Sequence, residues 1–591
     1  MEGFINFVIV IAFLAAPVLV VYLVFRLARG RITRAVRQGE HQGAADFLAT
    51  GGKPWGEPIG GTSHGSAYFM STRQVVEKHY GQHLEKANGK LFNNQMWLGG
   101  HSTKTLKNGK ATGTEDADLY GPMEGHFVTV APTRAGKGAC HVIPNILNYT
   151  VGSLVINDIK GENAAVTEKW RKDVSKGHCF RFAPFEADSC SWNPLDFIRD
   201  GDDRWGDAGL IADMLIVKGK GDSFFWDNEA RNFLQGAIVH VVESYPEGER
   251  NMAKVRQLLT GDKYQFAELV DDMSDSAHEL VRRAASTFLR KEDKTQNNVM
   301  AALNSQMTIW DDERLRRHMN RSDFRFEDLK EETATIYFFI RPEELESCTP
   351  VMRLFFGQAL AAMTRNPKKP FAPVTFLIDE FPRLGRMKPI EEGISYLAGY
   401  GVRLWLFAQD LGQIKSAYGD MAQSLFANCA CRCFFGTSDP ETAKLVSDMC
   451  GTMTVPVTTF SESAGTGAGF GGKPRNEALS YASQPLMTPQ EVMSMDRREQ
   501  LVFIRDEQPI KAIKVAYFEK PAFEGLYEEW NPEAAPMAES VETELPESAN
   551  ADTDEPIEVP KEDAIEDGPS ERPVESSERK PEAPQPPSFK D

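Results

Sequence analysis

The chain has 591 residues, of which 41% are apolar, so it is long enough for roughly two to four folded domains and is not a fully disordered protein. Its net charge of -19 would argue against a nucleic-acid partner, but 13 of these charges arise after residue 530, where 18 acidic and five basic residues lie. The rest of the chain is only mildly acidic, so the overall charge excludes no class of partner.

The first predicted element is a membrane-spanning helix near the amino terminus. Phe7 to Phe25 form an apolar run of about 19 residues, interrupted only by Pro17, and this length suffices to cross a bilayer. The six residues before the run carry no positive charge and include Glu2, unlike a signal peptide. Arginines follow at positions 26, 29, 31, 34 and 37, and the positive-inside rule then places the chain beyond them in the cytoplasm. We expect a transmembrane anchor over residues 1–27, with a buried core helix as the alternative.

A loop similar to a phosphate-binding loop follows a predicted strand at Phe127–Val130. Residues 131–138 read Ala-Pro-Thr-Arg-Ala-Gly-Lys-Gly, whereas the standard pattern is G-x-x-x-x-G-K-[ST]. Ala131 replaces the first glycine, and Gly138 stands where a hydroxyl group that binds Mg²⁺ is expected. Taken alone, the match is weak. The residues expected to contact the nucleotide are Pro132, Thr133, Arg134, Ala135, Gly136, Lys137, Gly138 and Ala139.

The segments around this loop predict an α/β domain with an all-α insertion. A helix over 139–147 and a strand over 153–158 give, with the strand before the loop, the strand-helix-strand order of a parallel sheet. Between 196 and 320, apolar residues recur at helical spacing. Strands are predicted again at 335–340, 374–378, 402–407 and 431–435. We expect a nucleotide-binding domain in two parts, 28–195 and 321–530, around an inserted all-α domain at 196–320.

The last of these strands contains alternating cysteines. Cys429, Cys431 and Cys433 are expected to share one face of the strand, because successive side chains of a strand point to opposite faces. Cysteine in such a place behaves as a small apolar residue, and a metal or redox role is the alternative.

Two carboxylates directly follow the predicted strand that ends at Ile378. Asp379 would hold Mg²⁺, directly or through water, and Glu380 would orient and deprotonate the attacking water. An apolar run that ends in Asp-Glu is common by chance, but this one lies in the same predicted domain as the loop. Gln409 ends the next strand and is expected to contact the γ-phosphate, with an ordinary strand-end amide as an equal alternative. The expected catalytic residues are Lys137, Glu380 and Gln409, and the three elements describe a RecA-like P-loop motor core.

The end of the chain has a different composition. Residues 531–591 are rich in Pro, Glu, Ser and Asp and contain almost no aromatic residues. Such a segment cannot bury enough apolar surface to fold, so we expect a disordered acidic tail.

These elements resemble those of the type IV secretion system coupling proteins, the TraG-like ATPases of bacterial conjugation. The resemblance extends from the predicted anchor to about residue 520, and so many motifs in order are more specific than any one of them. In this family a glycine after the motif lysine is tolerated, so Gly138 does not count against ATP binding. The matching segments are His64–Ala67, Ala131–Gly138, Val142–Pro144, Asn157–Asn163, Asn193–Leu195, Phe225–Trp226, Asp379–Gly385, Gln409, Tyr418–Gly419 and Leu486–Glu491.

The resemblance implies a homohexameric ATPase, anchored in the bacterial inner membrane by a single span, with most of the chain in the cytoplasm. It implies ATP and Mg²⁺ as cofactors, bound at interfaces between subunits. The cargo would be single-stranded DNA with its covalently attached relaxase, or protein effectors, delivered to the channel proteins of the type IV secretion system. The all-α domain would help to receive this cargo.

Three features depart from the family pattern. Many relatives have two membrane spans, and only one is predicted here. Many also carry an arginine where Ala398–Gly401 stands, and a trans-acting arginine can contribute about 10³ to 10⁵ in rate; Arg403 and Arg432 are weak substitutes for it. The acidic tail lies outside the shared core. A chromosome-type DNA translocase and a docking platform that binds nucleotide without hydrolysing it are the alternative functions.

Overall fold

The computed structural model of the protein describes residues 53–58, 64–82, 93–107, 110–219, 223–462 and 475–530. None of the helices in these ranges combines the length and the apolar character that a bilayer crossing needs. The predicted anchor at 1–27 and the predicted tail at 531–591 both lie outside the described residues.

Fourteen strands are present in these ranges, and twelve of them form one sheet. The strands are β1 (Gly81–Gln82), β2 (Trp97–Lys107), β3 (Lys110–Tyr120), β4 (His126–Val130), β5 (Leu154–Asp158), β6 (Cys179–Phe182), β7 (Thr335–Phe339), β8 (Val374–Ile378), β9 (Val402–Ala408), β10 (Cys429–Phe435), β11 (Thr452–Glu462), β12 (Arg475–Pro485), β13 (Glu499–Ile504) and β14 (Ile510–Ile513). The order in the sheet is β1-β3-β2-β14-β13-β10-β4-β9-β8-β5-β7-β6, and β11 and β12 pair separately.

The half of the sheet from β10 to β6 is entirely parallel. Strands β4, β5, β8 and β9 are buried at every position, as expected when helices cover both faces of a parallel sheet. The five strands predicted after the phosphate loop, and the strand before it, are therefore confirmed to within a few residues. Strands β1–β3, β6 and β11–β14 were not predicted from the sequence; β1, β6 and β14 have four residues or fewer, too short for a periodic pattern to indicate them.

The cysteine-bearing strand β10 begins two residues earlier than predicted, at Cys429. Cys429, Cys431 and Cys433 are all buried, while the residues between them are partly exposed. The prediction that they share one buried face is confirmed.

Sixteen helices are described, besides short 3-10 turns. They are α1 (Thr72–Glu77), α2 (Ile143–Asn148), α3 (Glu162–Val174), α4 (Arg204–Leu215), α5 (Ser223–Ser244), α6 (Met252–Thr260), α7 (Lys263–Ser274), α8 (Glu279–Leu289), α9 (Asp293–Met307), α10 (Glu313–Arg317), α11 (Thr349–Arg365), α12 (Lys388–Gly393), α13 (Leu411–Tyr418), α14 (Met421–Asn428), α15 (Pro440–Cys450) and α16 (Pro489–Met493). Between β6 and β7, the described part of the chain contains helices and no strand. This is the segment in which the all-α insertion was expected, and its boundaries at 196 and 320 stay a prediction.

An aromatic cluster packs α11 against the parallel sheet. Phe355 of α11 is fully buried and stacks on Phe338 of β7, with ring centroids 4.6 Å apart, and on Phe182 of β6 at 5.9 Å. On the other side it contacts Trp192 and Phe326, at 5.2 and 5.0 Å, which flank the helical segment in sequence. Close-packed rings of this kind contribute both buried area and specific edge and face contacts.

We therefore predict that Phe355→Ala lowers the free energy of unfolding by about 3–5 kcal/mol, because it removes a large buried side chain and leaves a cavity between sheet and helices. Urea denaturation of the purified protein measures this change. Phe371→Ala is the matched control, since Phe371 is 79% exposed and its removal should cost less than about 0.5 kcal/mol. Equal effects of the two substitutions would contradict the assignment of Phe355 to the central packing.

Candidate nucleotide-binding site

The phosphate-loop candidate connects β4 to a helix, as the sequence predicts, but the helix starts with a π-type turn. This turn covers Gly138–Val142 and continues directly into α2. The backbone N–H of Ala131 donates to the carbonyl of Ala408 at 2.9 Å, which ties the start of the loop to the end of β9. The methyl group of Ala131 is fully buried against Cys140 and Phe435. An alanine therefore fits the position where the standard pattern has its first glycine.

The backbone of the loop curls into a concave turn. Gly136 has φ +90°, and Arg134 has φ +62°, a left-handed conformation that costs a non-glycine residue about 1–3 kcal/mol. In the described structure, the N–H groups of Gly136, Lys137 and Gly138 make no hydrogen bond to another backbone or side-chain atom. A concave series of free N–H groups at the start of a helix is a binding site for anions.

The side chains predicted to act in catalysis meet at this loop. Lys137 Nζ lies 2.7 Å from Asp379 Oδ1 and 2.5 Å from Glu380 Oε1. Gln409 Nε2 donates to the same Glu380 Oε1 at 3.1 Å. The structure thus brings together all four residues of the predicted catalytic and metal site, while their individual roles stay predictions.

The strand order explains this meeting. Strand β9 lies between β4 and β8, with Val130 opposite Ala408 and Ile378 opposite Leu406. All three strands are parallel, so their carboxyl ends lie at the same edge of the sheet. The residues that follow each strand therefore converge there, which is the usual location of ligand sites in parallel sheets.

The ion pairs decide the charge state of the lysine. Burial by itself would lower the pKa of Lys137, but the charges of Asp379 and Glu380 outweigh it, and the net pKa is raised above the ordinary value. Burial raises the pKa of Asp379, against the opposing charge of Lys137. The site therefore holds the ammonium of Lys137 between two carboxyl groups.

Glu380 has two features that suit it to act on a ligand. Its backbone is left-handed, with φ 52° and ψ 38°, and such strained residues collect at functional sites. Its Oε2 atom is buried and has no hydrogen-bond partner among the described residues. A buried carboxylate oxygen without a partner is costly unless a ligand or water donates to it. Together with Asp379 it offers the anionic oxygens that Mg²⁺ prefers, so the residues fit this ion.

Two supporting residues were not assigned a role from the sequence. Asn157, at the end of β5, donates from Nδ2 to the backbone carbonyl of Asp379 at 2.8 Å. Gln413 accepts from the backbone N–H of Gln409 at 3.2 Å and so holds the end of β9. Asn157 stands in one of the family motifs, which is a signal for its importance, whereas no sequence pattern points to Gln413.

The structure excludes one of the two substitutes considered for the missing arginine. Arg403 is fully buried inside the sheet and donates to the backbone carbonyls of Pro122 and Met123. Its guanidinium also lies 5.1 Å from the ring centroid of Phe127. A side chain held in this way cannot reach a neighbouring subunit. Arg432 lies in β10 between β4 and β13, and the structure gives it no contact with the site.

The parallel sheet, the loop at the end of β4 and the acidic pair at the end of β8 define a P-loop NTPase fold of the RecA-like class. The family model described as "Type IV secretory system Conjugative DNA transfer" matches residues 66–549, which is more than half of the chain. The chain belongs to this family, that of the type IV secretion coupling proteins.

Similar proteins of known name agree with this assignment. "Protein VirD4" of Rhizobium radiobacter is 28% identical over 515 residues, which cover 83% of this chain and 70% of that protein. "Conjugal transfer protein TraG" of Escherichia coli is 27% identical over 465 residues, covering 73% of this chain and 71% of that protein.

Solved structures of the conjugative coupling protein TrwB share the fold. The unbound form superposes with a TM-score of 0.55 at 16% identity and covers 70% of this chain and 90% of TrwB. TrwB in complex with ADP and Mg²⁺ superposes with a TM-score of 0.51 at 15% identity, over 66% of this chain and 85% of TrwB. At this level of identity the likeness establishes the fold alone.

The charge balance of the site leads to a prediction about stability without nucleotide. Lys137→Ala leaves Asp379 and Glu380 side by side without a counter-ion, so we expect the free energy of unfolding to fall by about 1–3 kcal/mol. Lys415→Ala is the control, because the ion pair of Lys415 with Glu441 is about half exposed and should contribute less than about 1 kcal/mol. Urea denaturation of both variants measures the difference, and a Lys137→Ala protein as stable as the wild type would contradict the proposed balance.

Proposed function

We propose that this coupling protein hydrolyses ATP, with Mg²⁺, to drive the transfer of cargo into a type IV secretion channel. The observation that carries the proposal is the contact of Lys137, Asp379, Glu380 and Gln409 at the carboxyl ends of three adjacent strands. The solved complexes of TrwB with ADPNP and with ADP and Mg²⁺ support nucleotide binding by the same fold.

Each residue of the site has a part in this mechanism. The free N–H groups of Gly136, Lys137 and Gly138 would bind the phosphate oxygens, and the ammonium of Lys137 would leave the carboxylates to neutralise the terminal phosphates. Asp379 would hold Mg²⁺, and the ion would supply positive charge to neutralise the charge that develops on the phosphate oxygens.

The released carboxylate of Glu380 would accept the proton of the attacking water, because its Oε2 atom has no other partner in the described structure. Gln409, which donates to Oε1 of the same carboxylate, would keep it oriented and would sense the γ-phosphate. Lys137 thus has two alternative sets of partners, the carboxylates before binding and the phosphates after it.

The remaining parts of the proposal rest on the sequence and the family. They are a single-span anchor at 1–27 in the bacterial inner membrane, a cytoplasmic body, a disordered acidic tail at 531–591 and assembly into a homohexamer. The nucleotide-binding domain would comprise 28–195 and 321–530, with the all-α domain at 196–320 receiving cargo. The family description names conjugative DNA transfer and so favours DNA as the cargo. We propose that this DNA is single-stranded and carries its relaxase, with protein effectors as a second class of cargo.

One observation favours a second candidate function, a docking platform that binds nucleotide without turning it over. Residues 398–401 contain no arginine, and Arg403 is buried, so neither supplies a guanidinium to a neighbouring subunit's site. Loss of such a group lowers the rate of phosphoryl transfer without preventing binding.

Hydrolysis assays separate the two functions. The purified protein should hydrolyse ATP, faster with single-stranded DNA, and Lys137→Ala and Glu380→Gln should each reduce kcat by at least about 100-fold. Glu380→Gln should still bind ATP, because it keeps the loop and Lys137. If wild type and Lys137→Ala hydrolyse at the same background rate while wild type binds ATP, the protein is a docking platform and the motor proposal is wrong.

The absence of a hydroxyl group at residue 138 leads to a prediction about the Mg²⁺ concentration that hydrolysis requires. A Cβ atom on Gly138 would meet no atom within 4 Å, so a larger side chain fits. Gly138→Ser places a hydroxyl where the standard loop has its Mg²⁺ ligand, and we expect the Mg²⁺ concentration for half-maximal ATP hydrolysis to fall by about threefold or more. Gly138→Ala, which adds a Cβ without a ligand, should leave it unchanged. A requirement for Mg²⁺ that is the same in both variants would show that residue 138 does not face the ion.

A further inference from the structure

A lysine that is distant from the phosphate loop in sequence contacts this loop in the structure. Lys514 follows β14, which is separated from β4 by β13 and β10 in the sheet. Its Nζ donates to the backbone carbonyl of Ala135 at 2.9 Å and lies 4.3 Å from the ring centroid of Phe435. The residue is only 7% exposed. The contact is therefore a buried, specific one between the antiparallel half of the sheet and the loop.

The contact of Lys514 with the carbonyl of Ala135 also fixes the direction of the N–H group of Gly136. In a planar trans peptide the carbonyl and the following N–H point in opposite directions. Lys514 holds the carbonyl of Ala135 on one side, and so the N–H of Gly136 must point to the other side. Gly136, with φ +90° and no Cβ atom, would otherwise let this peptide rotate at little cost. The lysine thus fixes the direction of one of the free N–H groups of the loop.

The ammonium of Lys514 also lacks a carboxylate partner. Within the described part of the chain, no ion pair joins it to an acidic side chain, which is unusual for a buried lysine. Burial lowers the pKa of Lys514, and charges farther away offset this lowering only in part. A buried cation beside an anion-binding loop is stabilised when a phosphate group binds there.

The groups that face Lys514 do not supply the missing negative charge by contact. Burial raises the pKa of the Cys140 thiol to about 11 and lowers that of His141 to about 3, so both side chains are neutral near neutral pH. The phosphate loop itself carries the positive charges of Arg134 and Lys137. Asp496, before β13, raises the pKa of Lys514 from a distance, and Arg498 and Glu519 pair with each other.

We propose that Lys514 is a positioning residue of the nucleotide site, which fixes the Ala135–Gly136 peptide for phosphate binding and adds a positive charge behind the loop. The proposal rests on the proposed nucleotide-binding function and adds to it a residue from outside the phosphate-loop and acidic-pair motifs. It makes the antiparallel strands β13 and β14 a part of the nucleotide site.

Binding and hydrolysis of ATP by the full-length protein test this proposal. Lys514→Met removes the donor and the charge but keeps most of the side-chain volume. It should raise both the Kd for a fluorescent ATP analogue, measured with Mg²⁺, and the KM for ATP by about tenfold. The kcat should change by less than about threefold. Lys514→Arg keeps the donor and the charge and should restore affinity to within about threefold of wild type. Lys511→Met is the control, because Lys511 lies three residues earlier, on β14, and pairs with Glu499 at 2.9 Å rather than with the loop.

A pH series gives a readout that a purely structural lysine would not change. Burial lowers the pKa of Lys514, so its charge is lost as the pH rises, and at a lower pH than for an ordinary lysine. Affinity of the wild type for the ATP analogue should therefore fall as the pH rises towards about 10, near the ordinary pKa of lysine, whereas the affinity of Lys514→Met should be weak and independent of pH, and that of Lys514→Arg strong and independent of pH. Lys137 keeps its charge over this range, because its pKa is raised.

The outcomes distinguish this proposal from the function on which it rests. If the wild type binds the analogue and Lys514→Met binds it equally well, or if the two share one pH profile, the role of Lys514 is wrong and the proposed function stands. If the wild type does not bind the analogue at all, the proposed function and the role of Lys514 both fail. If Lys514→Met is misfolded, by circular dichroism, the pH profiles of wild type and Lys514→Arg decide alone.

Discussion

The arrangement of the candidate nucleotide-binding site depends on the parallel pairing of β4, β9 and β8. Because these strands run side by side in one direction, the residues that follow them converge at one edge of the sheet. A phosphate-type loop, an acidic pair and a glutamine that are far apart in the chain become one site there. The aromatic packing around Phe355 supports this arrangement, since it holds β6 and β7 against α11.

The chemistry of the site is governed by charge balance. In the structure Lys137 is paired with Asp379 and Glu380, and in the proposed mechanism these ion pairs are exchanged for contacts with phosphates and Mg²⁺. The loop has Gly138 where many P-loop ATPases have a hydroxyl, so in the proposed mechanism Asp379 would be the main protein ligand for the metal. The buried ammonium of Lys514, which contacts the loop carbonyl of Ala135, would add positive charge to this site in our proposal.

The residues of the site fall into two groups. The first group, the loop N–H groups and the four side chains, would contact the nucleotide and its metal. The second group holds the first in place: Asn157 binds the carbonyl of Asp379, Gln413 binds the backbone N–H of Gln409 and, in our proposal, Lys514 binds the carbonyl of Ala135. These contacts to backbone atoms hold the first group without using its side chains, which suits the proposed mechanism, in which the ion pairs change partners.

The sequence by itself determined the local elements and their chemistry. Buried parallel strands are short apolar runs, so β4, β8 and β9 could be predicted, and the loop, Asp379, Glu380 and Gln409 could be identified as residues that end them. Only the tertiary structure decided that Arg403 is buried, that Lys137 pairs with both carboxylates and that Lys514 contacts the loop. These contacts depend on the order of strands in the sheet. That order is determined by hydrogen bonding between segments far apart in sequence, so no local pattern of residues predicts it.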